Sequence, residues 1–155
     1  MIKEKSKQYQ KLLGFWAADC AEHVLKYFEK RYPKDKRPRK AILAARLWAK
    51  GKIKCGEARK AALAAHAAAR RAGYFTAAQF AARAAGHAAA TAHVARHAFG
   101  AVYYGIKTVI AAGKSGEKER KWQDEHSKLL KNRQYLKMYK YYQNRAKGKN
   151  EMLSS

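Results

Sequence analysis

The sequence predicts an all-α protein: a compact, alanine-rich bundle of six to seven helices around a central helix near 92–112. Three observations carry this expectation. Alanine supplies 32 of the 155 residues, and it is the best helix former. Glycine, proline and Ser/Thr punctuate the apolar pattern at spacings that suit helix ends. Beyond short ambiguous patches there is no strand signal, and there is no internal repeat. The length fits a single domain over 1–155, enough to bury one core without disulfide or metal staples.

A first helix is expected over about 8–30, after a basic extension at 1–7. At 100° per residue, Leu13, Ala17, Cys20, Val24, Tyr27 and Phe28 share one face, and Asp19, Glu22 and Lys26 lie opposite. Pro33 and Pro38 end that helix and start the next, with Asp35 or its neighbour as a cap. The second helix runs to Lys50 and stops at Gly51; a third spans 56–72 and stops at Gly73. Thr76 is a suitable N-cap for a fourth, at 76–89. Gly86 and Thr91 offer a break before a fifth at 92–112, with Thr91 as its N-cap. Ser115 caps a charged helix that begins near Glu117, and a last helix covers 132–146, followed by a flexible tail at 147–155.

The stretch AAGHAAATAHVARHAFG (84–100) sets three imidazoles, His87, His93 and His97, among very small side chains. On the 92–112 helix, Tyr103, Lys107 and Lys114 fall within about 20° of Arg96, giving one narrow basic stripe. Almost everything else on it is apolar, which predicts burial on most sides. Phe99, Val102, Ile106 and Val109 pack one flank, and His93, His97 and Tyr104 form the border. His66 aligns with Arg59, Leu63 and Arg70 on the third helix. His23 sits near Asp19 and Glu22 at the margin of the first. If these gather in one groove, carboxylate–imidazole hydrogen bonds raise the histidine pKa values.

The cluster has three readings: a polar seam between alanine-faced helices, a partner or ligand groove, or a metal site. The metal site would use His93 and His97 at i, i+4 with Asp19 or Glu22. No HExxH, no paired ExxH, no Gly-rich phosphate loop, no nucleophile elbow and no catalytic triad is present. No cofactor is therefore expected, and a His/Asp metal-dependent enzyme is the weakest reading. Cys20 and Cys55 have no metal or redox spacing and read as reduced structural thiols. The N-terminus lacks the apolar core of a signal peptide, and no run of about 18 apolar residues exists. A cytoplasmic protein without membrane spans is expected.

Charge says more about partners than about fold. The formal net charge is +24, and it is unevenly distributed. From Ala58 to Gly116 there are eight basic residues and no acid, and Lys128 to Lys149 also lacks acids. Such a balance favours an acidic or polyanionic partner.

The segments DCAEHVLKYFEK (19–30), RPRKAILAARLWAKG (37–51), EARKAALAAHAAAR (57–70) and AARAAGHAAATAHVARHAFGAVYYGIK (81–107) occur in this order. The spacing of their non-alanine positions is what matters, from Asp19, Glu22 and His23 through Arg46, Trp48, Arg59, His66, Arg70 and Arg83 to Gly86, His87, Thr91, His93 and His97. Over about 16–125 this pattern resembles the small all-helical "putative immunity protein" family of bacterial toxin–immunity systems. The lysine-rich N-terminus and the Tyr/Lys C-terminal segment depart from it. The resemblance implies a helical protein that binds and blocks a cognate toxin, and it brings no catalytic residue set. Given the basic charge, such a toxin is expected to present an acidic surface. The groove candidates for it are Asp19, Glu22, His23, Arg59, His66, Arg70, His87, His93, Arg96 and His97. The alternative is nucleic-acid binding through Lys131, Arg133, Tyr135, Lys137, Tyr139, Lys140 and Tyr142, where lysines neutralise phosphate and tyrosines stack on unpaired bases. A tyrosine stripe at i, i+4, i+7 equally describes a packing face, and a homodimer is one way to cover it.

Overall fold

The structure, a computed structural model, describes residues 2–127 and 133–148, with side chains for 6–127 and 136–148. Among these residues it is all-helical: α1 (Ile2–Val24), α2 (Lys26–Glu29), α3 (Arg37–Ala49), α4 (Cys55–Arg71), α5 (Ala77–Ala90), α6 (His97–Ala111), α7 (Gly116–His126) and α8 (Arg133–Lys147). The all-α expectation holds, with eight helices where six to seven were expected. The extra one arises at Leu25, a single residue that separates α1 from the short α2. Helix α1 also takes in residues 2–7, which the sequence reads as an extension. No helix is long and apolar enough to cross a membrane.

The local signals place most ends. Gly51, Gly73 and Gly113 adopt φ of +74°, +87° and +74° just past α3, α4 and α6, a conformation that glycine reaches without a Cβ penalty. Thr76 and Ser115 cap α5 and α7, their hydroxyls accepting from the Gln79 and Lys118 amides. Asp35 accepts from the Arg37 amide and guanidinium at the start of α3. Replacing Thr76 by alanine orphans that amide and should lower stability by about 1 kcal/mol, read as a shift of the urea midpoint at unchanged m-value.

The expected helix at 92–112 differs in two ways. Residues 91–96 form turns, so α6 begins only at His97, and Thr91 is not an N-cap. Its hydroxyl instead donates back to the His87 carbonyl at the end of α5. The turn is secured from outside: Gln10 Nε2 donates to the Thr91 and Ala92 carbonyls, and the Cys55 thiol donates to the Ala92 carbonyl. The central helix is α5, packed against α1, α2, α3, α4 and α6. Its buried residues are Phe80, Gly86 and eight alanines, from Ala78 to Ala90. A rod this thin is the one its neighbours can close around on all sides.

The main core runs through α1, where Leu13, Trp16, Ala17, Cys20 and Val24 are buried, and on into α2 with Phe28. Trp16 packs edge-on to Phe99 and Tyr139, at 6.2 and 5.0 Å. Helix α8 packs on α6 and makes polar contacts to α7. Tyr139 donates to Asp124, Gln143 Nε2 donates to Gln123 Oε1 (3.3 Å), and Gln123 Nε2 donates to the Val102 carbonyl (3.1 Å). Of the tyrosine stripe of α8, Tyr139 is thus covered within the chain and Tyr142 is half-buried, while the Tyr135 side chain lies outside the described residues. The tail at 149–155 lies outside the described residues.

Candidate functional site

Helix α4, the end of α5, the turn that follows it and the start of α6 bring four imidazoles into a row, His66, His87, His93 and His97. Ring centroids are 5.1 Å apart for His66–His87, 5.2 Å for His87–His97 and 5.2 Å for His97–His93. Two glycines make this possible. A Cβ on Gly86 would lie 2.7 Å from His66 Cε1 and Nε2, and one on Gly100 would lie 2.4 Å from His87 Nδ1. Each imidazole therefore occupies the space that a side chain on the facing helix would fill.

The row is electrostatically unusual because, among the described residues, no carboxylate is hydrogen-bonded to it and none is among the charges that shift it. Arg83 Nη1 lies 2.9 Å from His66 Nδ1. A guanidinium can only donate, so His66 Nδ1 accepts and the ring proton sits on Nε2. His87 and His97 share one hydrogen bond between their Nδ1 atoms, at 3.2 Å. Burial, helped by Arg83, His97 and Arg70, lowers the His66 pKa to about 4. Burial, with His66, His97 and Arg83, lowers His87 to about 3. His93 and His97 shift the same way, by desolvation and by the charges of Arg59 for the first and of His93 and Arg96 for the second. The expectation of raised histidine pKa values is thus reversed: these rings are neutral at pH 7.

Two adjoining hollows open onto the row and share His87, Gly100 and Tyr142. One, of about 580 Å³, is also lined by Val94, Arg96 and His97. The other, of about 330 Å³, is also lined by Tyr103, Tyr104 and Arg145. Neither holds an acid, whereas hollows elsewhere on the surface contain Asp124, Glu57 or Glu22. Neutral imidazoles, tyrosines and two arginines make a cleft that can donate to an anion without a resident carboxylate to compete for the same donors.

Of the residues singled out from sequence, His66, His87, His93 and His97 come together, with Arg59, Arg70 and Arg96 acting on them electrostatically. Asp19, Glu22 and His23 do not join them. Asp19 and Glu22 both accept from Arg46, at 2.8 and 2.7 Å. His23 pairs with Glu119 at 2.7 Å and stacks on Trp122 at 3.6 Å between centroids. Asp19 is thus committed to Arg46 and cannot complete a site with His93 and His97. Among the described residues, no group of three His, Cys, Asp or Glu is placed to hold a metal ion. Sequence reasoning missed Arg83, Gly100, Tyr103 and Arg145 as parts of the site. The imidazole-sized gap at Gly100 is a property of two helices in contact and has no local signal.

The nucleic-acid candidates fare unevenly. Tyr139 is 2% exposed, hydrogen-bonded to Asp124 and packed on Trp16, so it offers no face to a base. Tyr142 stacks on Phe99 at 6.0 Å, while Lys137 and Lys140 are exposed. Lys131 and the side chains of Arg133 and Tyr135 lie outside the described residues.

Comparison with curated proteins and with solved structures yields no match. The family comparison does yield one, and it spans residues 3–130. It reaches further toward the N-terminus than the pattern of 16–125, so the lysine-rich start of α1 belongs to the matched region, while α8 lies beyond it. With that much of the chain matched and the helical architecture in place, the chain belongs to the "Imm-5 like putative immunity protein" family.

Proposed function

We propose that this chain is a cytoplasmic immunity-type inhibitor that neutralises a cognate toxin by direct contact, receiving acidic side chains of the toxin on its α4–α6 face. One observation carries the reading. Every ion pair among the described residues is formed outside 58–116, and the acids concerned sit on α1, α2, the turn before α3, and α7. The eight cations of 58–116 therefore have no acid from their own segment and enter no ion pair among the described residues. These uncompensated cations, of which Arg59, Arg70, Arg83 and Arg96 act on the histidines of the cleft, are complementary to a carboxylate-bearing surface, and such complementarity governs encounter rate and partner choice.

The test mixes the chain with the product of a neighbouring toxin-like gene. A complex should form at micromolar concentration or below, and its affinity should fall as salt rises from 50 to 500 mM. The double variant Arg59→Glu/Arg70→Glu should weaken it by about tenfold or more, mainly through slower association. No complex, or a complex indifferent to both salt and charge reversal, contradicts the reading.

A further inference from the structure

The turn between α4 and α5 presents the two most exposed large apolar side chains among the described residues: Tyr74 is 88% and Phe75 is 80% exposed. Phe75 is also the one non-glycine described residue with positive φ, at 58°. A bulky residue in the left-handed region is disfavoured by about 1 kcal/mol or more, and glycine would adopt that conformation freely. Folding thus gains little from a phenylalanine here: burial is slight, the backbone preference is adverse, and one ring contact, to Phe80, is made. The tip is nonetheless well fixed. The Phe75 amide donates to Gln79 Oε1 (2.8 Å), the Gln79 amide donates to Thr76 Oγ1 (3.0 Å), and the Thr76 hydroxyl donates to the Ala72 carbonyl (2.6 Å). An ordered tip loses little entropy when it is captured.

The tip is also connected to the cleft. Phe75 leans on Phe80 (6.4 Å), Phe80 stacks with Tyr104 (5.9 Å), and Tyr104 stacks with His87 (5.3 Å). Lys107 Nζ lies 5.4 Å from the Phe80 ring centre. Arg70 and Arg71, both exposed, directly precede the turn. The nearby Asp35, which feels Arg71, is already held by Arg37.

We infer that the Tyr74–Phe75 tip is the apolar anchor of the toxin interface, entering a pocket on the toxin whose rim carries carboxylates. This rests on the reading of the chain as a toxin inhibitor. Aromatic side chains that are largely exposed in the free protein, on a turn held by hydrogen bonds and directly after Arg70 and Arg71, match the anchors that dominate protein interfaces. The charge argues against a second copy as the occupant, because a twofold contact through this tip would set Arg70 and Arg71 against themselves.

The experiment measures the affinity of the neighbouring toxin-like gene product for the wild-type chain and for the double variant Tyr74→Ala/Phe75→Gly. The variant should melt at the wild-type temperature or slightly above it, since glycine suits the turn. It should bind roughly thirtyfold more weakly or worse, the loss expected for a hot-spot pair. Opposite signs in stability and binding are the signature, because a purely structural role would move both together. Binding within about threefold of wild type, with wild type bound, overturns the anchor and leaves the inhibitor reading standing. No complex with wild type removes the inhibitor reading, and the anchor with it. A dimer of the isolated chain that the variant dissolves, or single-stranded oligonucleotide binding that the variant abolishes, reassigns the tip and also overturns the proposal.

Discussion

Gly100→Ala should destabilise the protein by roughly 1–3 kcal/mol, the range for forcing an extra group into a packed site. Helix propensity alone predicts the opposite sign, because glycine inside a helix is about 1 kcal/mol worse than alanine. Packing decides the sign here. The new Cβ would meet His87 Nδ1 at 2.4 Å, about 1 Å inside ordinary van der Waals contact. His87 cannot swing away cheaply, since its ring lies against Tyr104 on one side and against His66 and His97 on others. Gly86→Ala should behave likewise against His66. Urea denaturation checks both. The control is Gly100→Ala combined with His87→Ala: removing the ring makes room for the methyl, so the double variant should be more stable than the two single losses sum to, with a coupling of about 1 kcal/mol or more.

Stability should fall steeply as pH drops below about 6. The sign follows from the direction of the shifts. The folded-state values of His66 and His87 are lowered to about 4 and about 3, from 6.5 in the absence of burial. Between those limits the unfolded chain binds more protons than the folded one, so acid favours unfolding. The stabilisation is complete above pH 6.5 and is lost as pH falls toward the folded values. Near pH 5 the two rings together set a slope of at most about 2.7 kcal/mol per pH unit, less for His66 in proportion to its solvent contact. His97 and His93 add to it in the same direction. The measurement is the urea midpoint between pH 7.5 and 4.5, for wild type and for His87→Gln. The variant should show a clearly shallower dependence. Glu117, lowered to about 2 by Arg120 and Lys147, acts in a separate window below pH 4.5, so it leaves this comparison untouched.

What could be read in the sequence was what is decided locally. Gly51, Gly73 and Gly113 need positive φ, and the Thr76 and Ser115 hydroxyls need only an amide three residues on. The buried stripe of α1 follows from the helical period alone. Thr91 shows the limit of that logic. A threonine hydroxyl can cap forward or bond backward, and the second option prevails because Gln10 and Cys55 reach in to satisfy the carbonyls of the following turn. The larger apolar side chains of α6 read as core, and Phe99, Val102, Ile106 and Val109 are buried. What the pattern did not convey is that α5, whose buried side chains are almost all methyl groups, packs against five other helices. The site was half legible. Of the five histidines expected in one groove, His66, His87, His93 and His97 come together, but His23 is claimed by Glu119, 96 residues away, and Asp19 and Glu22 by Arg46. No period or spacing encodes such pairings.

The amide contact under α8 has a consequence for the cleft. Gln143 against Gln123 is worth little as adhesion, since buried polar contacts largely offset their own desolvation. Its value lies in phase. Sliding α8 by one turn would strand both amides and pull Tyr139 off Asp124, and each stranded group is penalised by about 1–3 kcal/mol. The helix is therefore indexed to a single notch, and Tyr142 and Arg145 reach the mouth of the cleft in one alignment only.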